Sequence, residues 1–182
     1  MKKEILISGF GGQGVLSMGK ILAYGALMEG KQVTWMPAYG PEQRGGTANV
    51  TVVVSDNHIA SPILSRYDVV VALNQPSLNK FEDKVNPGGI LIYESDSINQ
   101  PPTRTDIHTY QINAIDKAAE LNNAKTFNMI ILGALLKACP VISKDGLEKS
   151  LTKSLPQRYH HLIHANMQAV SVGQDSLVSS CC

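Results

Sequence analysis

Gly9-Phe10-Gly11-Gly12-Gln13-Gly14 follows the short apolar run Ile5-Leu6-Ile7 and leads into a helical pattern from Val15 onward. Strand, glycine turn and helix, in that order, form the context in which a G-x-G-x-x-G spacing carries physical meaning. Glycines let the backbone turn tightly and approach a ligand closely. The start of the helix then presents partnerless N–H groups to an anion. A phosphate or pyrophosphate is the guest that such a turn suits.

Working outward, the helix predicted from about Gln13 to Met28 is apolar nearly all round, with Val15, Leu16, Met18, Ile21, Leu22, Ala26 and Leu27. Such a helix is covered on most sides. Gly19 and Gly25 weaken it by about 1 kcal/mol each relative to alanine, and close packing on a sheet is the expected offset. Gly30 is a C-terminal cap signal. The second strand reads Gln32 to Met36, ended by Pro37, and the third reads Ala48 to Ser55. About ten residues separate them, whereas a parallel crossover needs a dozen or more. These two strands are therefore expected to be antiparallel or distant, which makes the sheet mixed.

Further along, Ile59 to Tyr67 has room for a helical turn, and Val69 to Leu73 reads as a buried strand. Gln75-Pro76-Ser77 opens a helix to about Val85, Asn86-Pro87-Gly88-Gly89 is a turn, and Ile90 to Tyr93 is the next strand. Ile107 to Ile112 reads as a strand, and helices are expected over Ala114–Leu121 and Phe127–Ala138, after Ser143, and over Tyr159–Val172. The fold class is α/β: a Rossmann-like layered domain with a mixed, mostly parallel central sheet flanked by helices. Residues 1–173 form one domain in this reading, and 174–182 form a disordered tail.

Composition narrows the function classes. A formal net charge of +1 offers no electrostatic case for nucleic acid or an anionic membrane. The longest apolar run, Met129 to Leu136, is far below the roughly 20 residues of a membrane span. The apolar start is too short for a signal peptide, so a cytoplasmic location is expected. Of three cysteines, Cys181 and Cys182 are adjacent and no C-x-x-C occurs, which argues against a metal or iron–sulfur site built from this chain alone.

Which guest the glycine turn takes is constrained next. A nicotinamide or flavin dinucleotide site places an acidic residue about 20 residues on, at the end of the second strand. That place reads Met36-Pro37-Ala38-Tyr39, with neither carboxylate nor arginine. The loop Tyr39-Gly40-Pro41-Glu42-Gln43-Arg44-Gly45-Gly46 leaves the same sheet edge if the first two strands are parallel. Arg44 offers a bidentate fork to a phosphate or carboxylate, and Glu42 can pair with it or act as acid or base. Asn74, after a buried strand, either binds ligand or caps the following helix. Asn128 reads as a satisfied core amide. His160 and His164 have an i, i+4 spacing but no third ligand, and a solvated helix face is the favoured reading. No acid–base pair or nucleophile triad stands out. A phosphate cradle and a charged loop without a catalytic engine suggest a subunit.

The two glycine-rich stretches, together with Ser61-Pro62 and Ala72-Leu73-Asn74-Gln75-Pro76, resemble in order the gamma subunit of 2-oxoacid:ferredoxin oxidoreductases, over residues 4 to 170. The resemblance implies a complex that oxidatively decarboxylates a 2-oxoacid with coenzyme A, giving acyl-CoA, CO2 and reduced ferredoxin. It implies thiamine diphosphate on alpha and beta partner subunits and iron–sulfur clusters in beta or delta. The equivalent domain of related fused enzymes helps bind coenzyme A. Carried over by position, Gly9, Gly11, Gly12, Gln13 and Gly14 form the pyrophosphate cradle. Tyr39, Glu42 and Arg44 line the same cleft or a subunit contact. 2-Oxoglutarate is the favoured substrate, ahead of pyruvate and branched-chain oxoacids. Any ferredoxin-like domain is expected on a separate chain, and the isolated gamma chain is a candidate homodimer. The competing readings are a purely structural subunit and a free-standing dinucleotide oxidoreductase.

Overall fold

The computed structural model describes residues 1–39 and 46–180. The described residues build a seven-stranded sheet in the order β2-β3-β1-β4-β5-β6-β7. The chain runs β1 (Lys2–Phe10), α1 (Val15–Met28), β2 (Gln32–Tyr39), β3 (Thr47–Ser55), β4 (Tyr67–Ala72), α2 (Gln75–Phe81), β5 (Val85–Glu94) and β6 (His108–Ile112). Then follow α3 (Ala114–Glu120), α4 (Phe127–Ala138), α5 (Lys144–Ser154), α6 (Ile163–Asp175) and β7 (Val178–Ser179). β1, β4, β5 and β6 are parallel, while β3 is antiparallel to both β1 and β2. β2 therefore runs with β1, and both end on one edge of the sheet. The expected mixed, mostly parallel sheet is what forms.

Strand alternation sorts the side chains into two layers. Ile5, Ile7, Val50, Val52, Val69, Val71 and Ile92 face α1 and α4 in the main core, and α5 packs against α1. Leu6, Val70, Ala72, Leu91 and Tyr93 face Leu78 and Phe81 of α2 in a smaller one. Gly19 meets the sheet as expected: a Cβ there would stand 2.7 Å from Val50 Cγ1. Gly25 packs elsewhere, under Ile142 and the backbone of Gly146 at the start of α5. The C-terminus of α1 is clamped to that region by Glu29, which accepts from the Ser143 N–H at 2.6 Å, and by Lys31, which donates to the Val141 carbonyl at 2.6 Å.

Several expectations are corrected. Pro37 does not end the second strand, which continues to Tyr39 with Pro37 opposite Val50. The strand is an edge, where a missing N–H costs no ladder bond. No helix forms between β3 and β4, where the chain bends irregularly. Asn86 to Gly89 lies inside β5, and Gly88, at φ +73°, accompanies a register shift against β4. The last helix begins at Ile163, after a 3-10 stretch over Gln157–Leu162. Residues 174–180 do not fray: α6 runs to Asp175, and β7 pairs with Tyr110 and Gln111 of β6. Cys181 and Cys182 lie outside the described residues.

Helices α4 and α6 cross at Gly133 and Gly173. A Cβ on Gly133 would run into the Val170 carbonyl oxygen, and one on Gly173 into that of Ile130. Neither obstacle is a side chain that can swing away, so Gly133→Ala should destabilise the fold by about 3 kcal/mol, the upper range for overpacking. Urea denaturation measures this; a loss below about 1 kcal/mol would mean that the helices separate freely.

Candidate functional site at the glycine turn

β1 leaves the middle of the sheet at Phe10, and the turn that follows is tied down from three directions. Gln13 Oε1 accepts from the Phe10 N–H at 2.7 Å, Gln13 Nε2 reaches the Leu73 carbonyl at 3.5 Å, and the Gly11 N–H donates to the Gly46 carbonyl at 3.0 Å. The Gln13 side chain thus holds the turn against the end of β4. Gly9 is glycine for that reason: a Cβ there would meet Gln13 Oε1 at 2.6 Å and Leu73 Cβ at 3.0 Å. Gly14 opens α1 in the left-handed region, at φ +78°, with no side chain capping the helix and no acidic residue in its first turn. The first N–H groups of α1 are left for a guest.

Gly12, Gln13 and Gly14 line a cavity of about 440 Å³ whose other walls include Ile115, Lys125, Phe127 and Asn128. Lys125 lies in the 3-10 turn Ala124–Thr126 that leads into α4. The residues lining this cavity include no carboxylate, and Lys125 takes part in no ion pair among the described residues. Helix start, free ammonium and amide therefore meet at a volume that suits a small anionic ligand.

The predicted residues divide clearly. Gly12, Gln13 and Gly14 reach the cavity; Gly9 and Gly11 shape the turn from behind. Tyr39 stands on the expected edge, since it pairs with Ala48 while Phe10 pairs with Thr47, but it is 71 % exposed and does not line the cavity. Glu42 and Arg44 lie outside the described residues. Asn74 is 2 % exposed and caps α2, its Oδ1 accepting from the Ser77 N–H at 2.9 Å. Its Nδ2 is buried with no hydrogen-bond partner among the described residues.

Asn128 is a correction. It is not a satisfied core amide but a half-buried one beside the turn, and a Cβ on Gly14 would stand 2.6 Å from its Nδ2. Lys125 and Asn128 escaped sequence reading because nothing local marks them; only the packing of α4 beside α1 brings them to the glycines. His160 Nε2 donates to the Leu155 carbonyl at 3.0 Å. It belongs to the 3-10 stretch, where residues i and i+4 do not share a face, so it and His164 are no ligand pair. Among the described residues no three His, Cys, Asp or Glu converge on a metal-sized site, and no helix is long and apolar enough to cross a membrane.

One carboxylate near this edge is perturbed. Glu94 ends β5, is 0 % exposed, and accepts from the Ser97 N–H at 2.8 Å and, more weakly, from the Ile115 N–H at 3.5 Å. Burial pushes its carboxyl above the usual value of 4.5, outweighing the two N–H donors. A raised folded-state pKa means stability that is present below pH 4.5 and lost as pH rises through the raised value. Glu94→Gln should flatten that loss. Denaturation midpoints measured against pH check this, and parallel profiles for the two proteins would refute it.

A mostly parallel sheet with a glycine turn at its carboxyl edge, feeding an uncapped helix beside a lysine that has no ion pair among the described residues, defines a Rossmann-like α/β domain. Residues 4–176 match the Pyruvate ferredoxin/flavodoxin oxidoreductase family, and the chain belongs to that family, as a domain of its gamma-subunit type. It is 44 % identical over 133 residues to the ketoisovalerate oxidoreductase subunit VorA of Methanothermobacter thermautotrophicus, covering 73 % of this chain but only 28 % of that one. It is 34 % identical over 160 residues to the 2-oxoglutarate synthase subunit KorC of Methanocaldococcus jannaschii, covering 86 % of each. The gamma subunit of a keto/oxoacid ferredoxin oxidoreductase from Geobacter sulfurreducens superposes with a TM-score of 0.80 at 30 % identity, over 96 % of this chain and 97 % of that one. The fold also recurs in the 2-oxoglutarate:ferredoxin oxidoreductase of Magnetococcus marinus, with a TM-score of 0.86 at 24 % identity, over 96 % of this chain and 30 % of that one.

Proposed function

We propose that this chain is the accessory subunit of a thiamine-diphosphate-dependent 2-oxoacid:ferredoxin oxidoreductase and holds the phosphates of coenzyme A at its glycine turn. The carrying observation is the cavity at the uncapped start of α1, with Lys125 on its wall and no carboxylate among the described residues that line it. Family membership supplies the reaction class. Thiamine diphosphate and the iron–sulfur clusters belong to alpha, beta and delta partners in this reading, and ferredoxin is the acceptor of the assembled complex. The chain supplies binding and assembly, and the oxidation happens on its partners. The family's full-length KorC relatives favour 2-oxoglutarate as substrate. The higher identity to VorA over a shorter stretch favours a branched-chain 2-oxoacid as the second reading.

In the complex co-purified from its host, Lys125→Ala should raise the apparent KM for coenzyme A about tenfold, the loss of one charge-assisted contact, with the KM for the 2-oxoacid held. An unchanged KM for coenzyme A would leave assembly as the chain's role. Acyl-CoA formation from 2-oxoglutarate and from 3-methyl-2-oxobutanoate, assayed side by side, decides the substrate.

A further inference from the structure

A second cavity, of about 730 Å³, adjoins the first, and Ala124, Lys125 and Asn128 line both. Ile21, Met129, Leu151 and Leu155 give it an apolar floor. The rest of its lining is mostly polar, hydroxyls and side-chain amides, with Lys125 and His161 as the groups able to carry positive charge. Among the described residues no carboxylate lines it. One wall is the 3-10 stretch Gln157–Leu162, in which no residue is buried. Tyr159 is 40 % exposed and Leu162 36 %, although both reach the cavity. The Arg158 guanidinium lies over the Tyr159 ring, 4.9 Å from its centre, and makes no ion pair among the described residues. From Lys149 to Gln174 the chain holds no Asp or Glu. Not every cation of that run belongs to this face. Lys149 pairs with Asp145, Lys153 shares its surface with Asp145 and Glu148, and His164 lines a separate groove with Glu148. Arg158 and His161 are the exposed cationic groups left beside the apolar recess.

A helical stretch that buries none of its residues adds little to the core, yet this one carries a tyrosine, an arginine and a leucine around a recess. Tyrosine and arginine beside a pocket that excludes water are the residues that anchor protein interfaces. An acid-free face with an apolar recess is complementary to an acidic segment that projects a bulky apolar side chain. Resting on the reading of this chain as an accessory subunit, we propose that Gln157–Leu162 and the second cavity form its docking face for a partner subunit. An acidic segment of that partner sets its carboxylates against Arg158 and His161, and one of its aliphatic or aromatic side chains enters the recess over Leu151 and Leu155. Other occupants fit worse. Two copies of this face would bring cations together. A nucleic acid needs a row of cations along its phosphates, whereas Tyr159 separates Arg158 from His161 and the whole chain carries a net charge of only +1. A bilayer surface offers no projecting side chain to fill a recess.

The test uses the complex co-purified from its host, in which native mass spectrometry gives the share of this chain released on dilution. Arg158→Glu combined with His161→Glu should raise the dissociation constant about tenfold, and about 0.5 M salt, which screens the wild-type attraction, should narrow that gap. Tyr159→Ala combined with Leu162→Ala should weaken retention about tenfold at low and high salt alike. All four positions are exposed, so the circular dichroism of the released chain should not change. Two measurements leave these residues as they are. Amide hydrogen exchange over Gln157–Leu162 should be slower in the complex than in the released chain. A photo-crosslinker in place of Gln157 should join an acidic peptide of a partner subunit. Retention untouched by both double variants, or equal exchange in the complex and the released chain, overturns the proposal. So does a cross-link to a second copy of this chain, and so does binding of the released chain to phosphatidylglycerol vesicles or to duplex DNA that Arg158→Glu abolishes. The coenzyme reading fails separately. If Lys125→Ala leaves the KM for coenzyme A unchanged while the charge-reversed chain is released, the phosphate cradle falls and the docking face stands. If Lys125→Ala raises that KM and the charge-reversed chain stays bound, the docking face falls alone.

Discussion

The structure depends on β1 being paired along both of its sides. Nine residue pairs join it to β3, and four join it to β4 in the opposite sense. Ile5, Leu6 and Ile7 at its centre are buried to within 1 %. A strand held on both edges and both faces has one way out, and it leaves at Phe10. The direction in which α1 departs, and therefore where its partnerless N–H groups point, follows from that confinement. Gln13 completes the geometry by tying the turn to Phe10 and to the end of β4. A loop anchored to the most rigid part of a sheet is preorganised, so little ordering has to be paid for when a ligand arrives.

The charge distribution around the turn is arranged by exclusion as much as by attraction. Among the described residues, neither cavity beside it is lined by a carboxylate. Glu94, an acid of this edge with a perturbed carboxyl, is buried with its oxygens turned to the Ser97 and Ile115 N–H groups. Burial raises its pKa and so favours its neutral form, which limits the negative potential it projects. Lys125 by contrast lines both cavities and has no ion pair among the described residues.

Much of this was legible in the chain. The apolar alternation of β3, the short link from Tyr39 to Thr47, and the missing acid after Trp35 foretold a mixed sheet and argued against a dinucleotide guest. Ser143 and Asn74 were readable as caps and act as caps. The misjudged elements were those in which neighbours overrule local signals. Pro37 continues a strand because that strand is an edge. Gly88 bends a strand that it does not end. Val178 and Ser179 become ordered because β6 offers them an open side.

The sequence by itself determined the class of fold, the position of the glycine turn and the family, because these are written in short-range patterns: periodicity, glycine spacing and contiguous motifs. The tertiary structure alone decided what surrounds the turn. Lys125, Asn128 and the second cavity come from segments far from Gly14 along the chain, brought beside it when α4 packs against α1 and α6 crosses α4 at Gly133 and Gly173. Such proximity depends on how closely two helices can approach, which is set by the volume of their side chains at the crossing and leaves no mark at the residues it brings together.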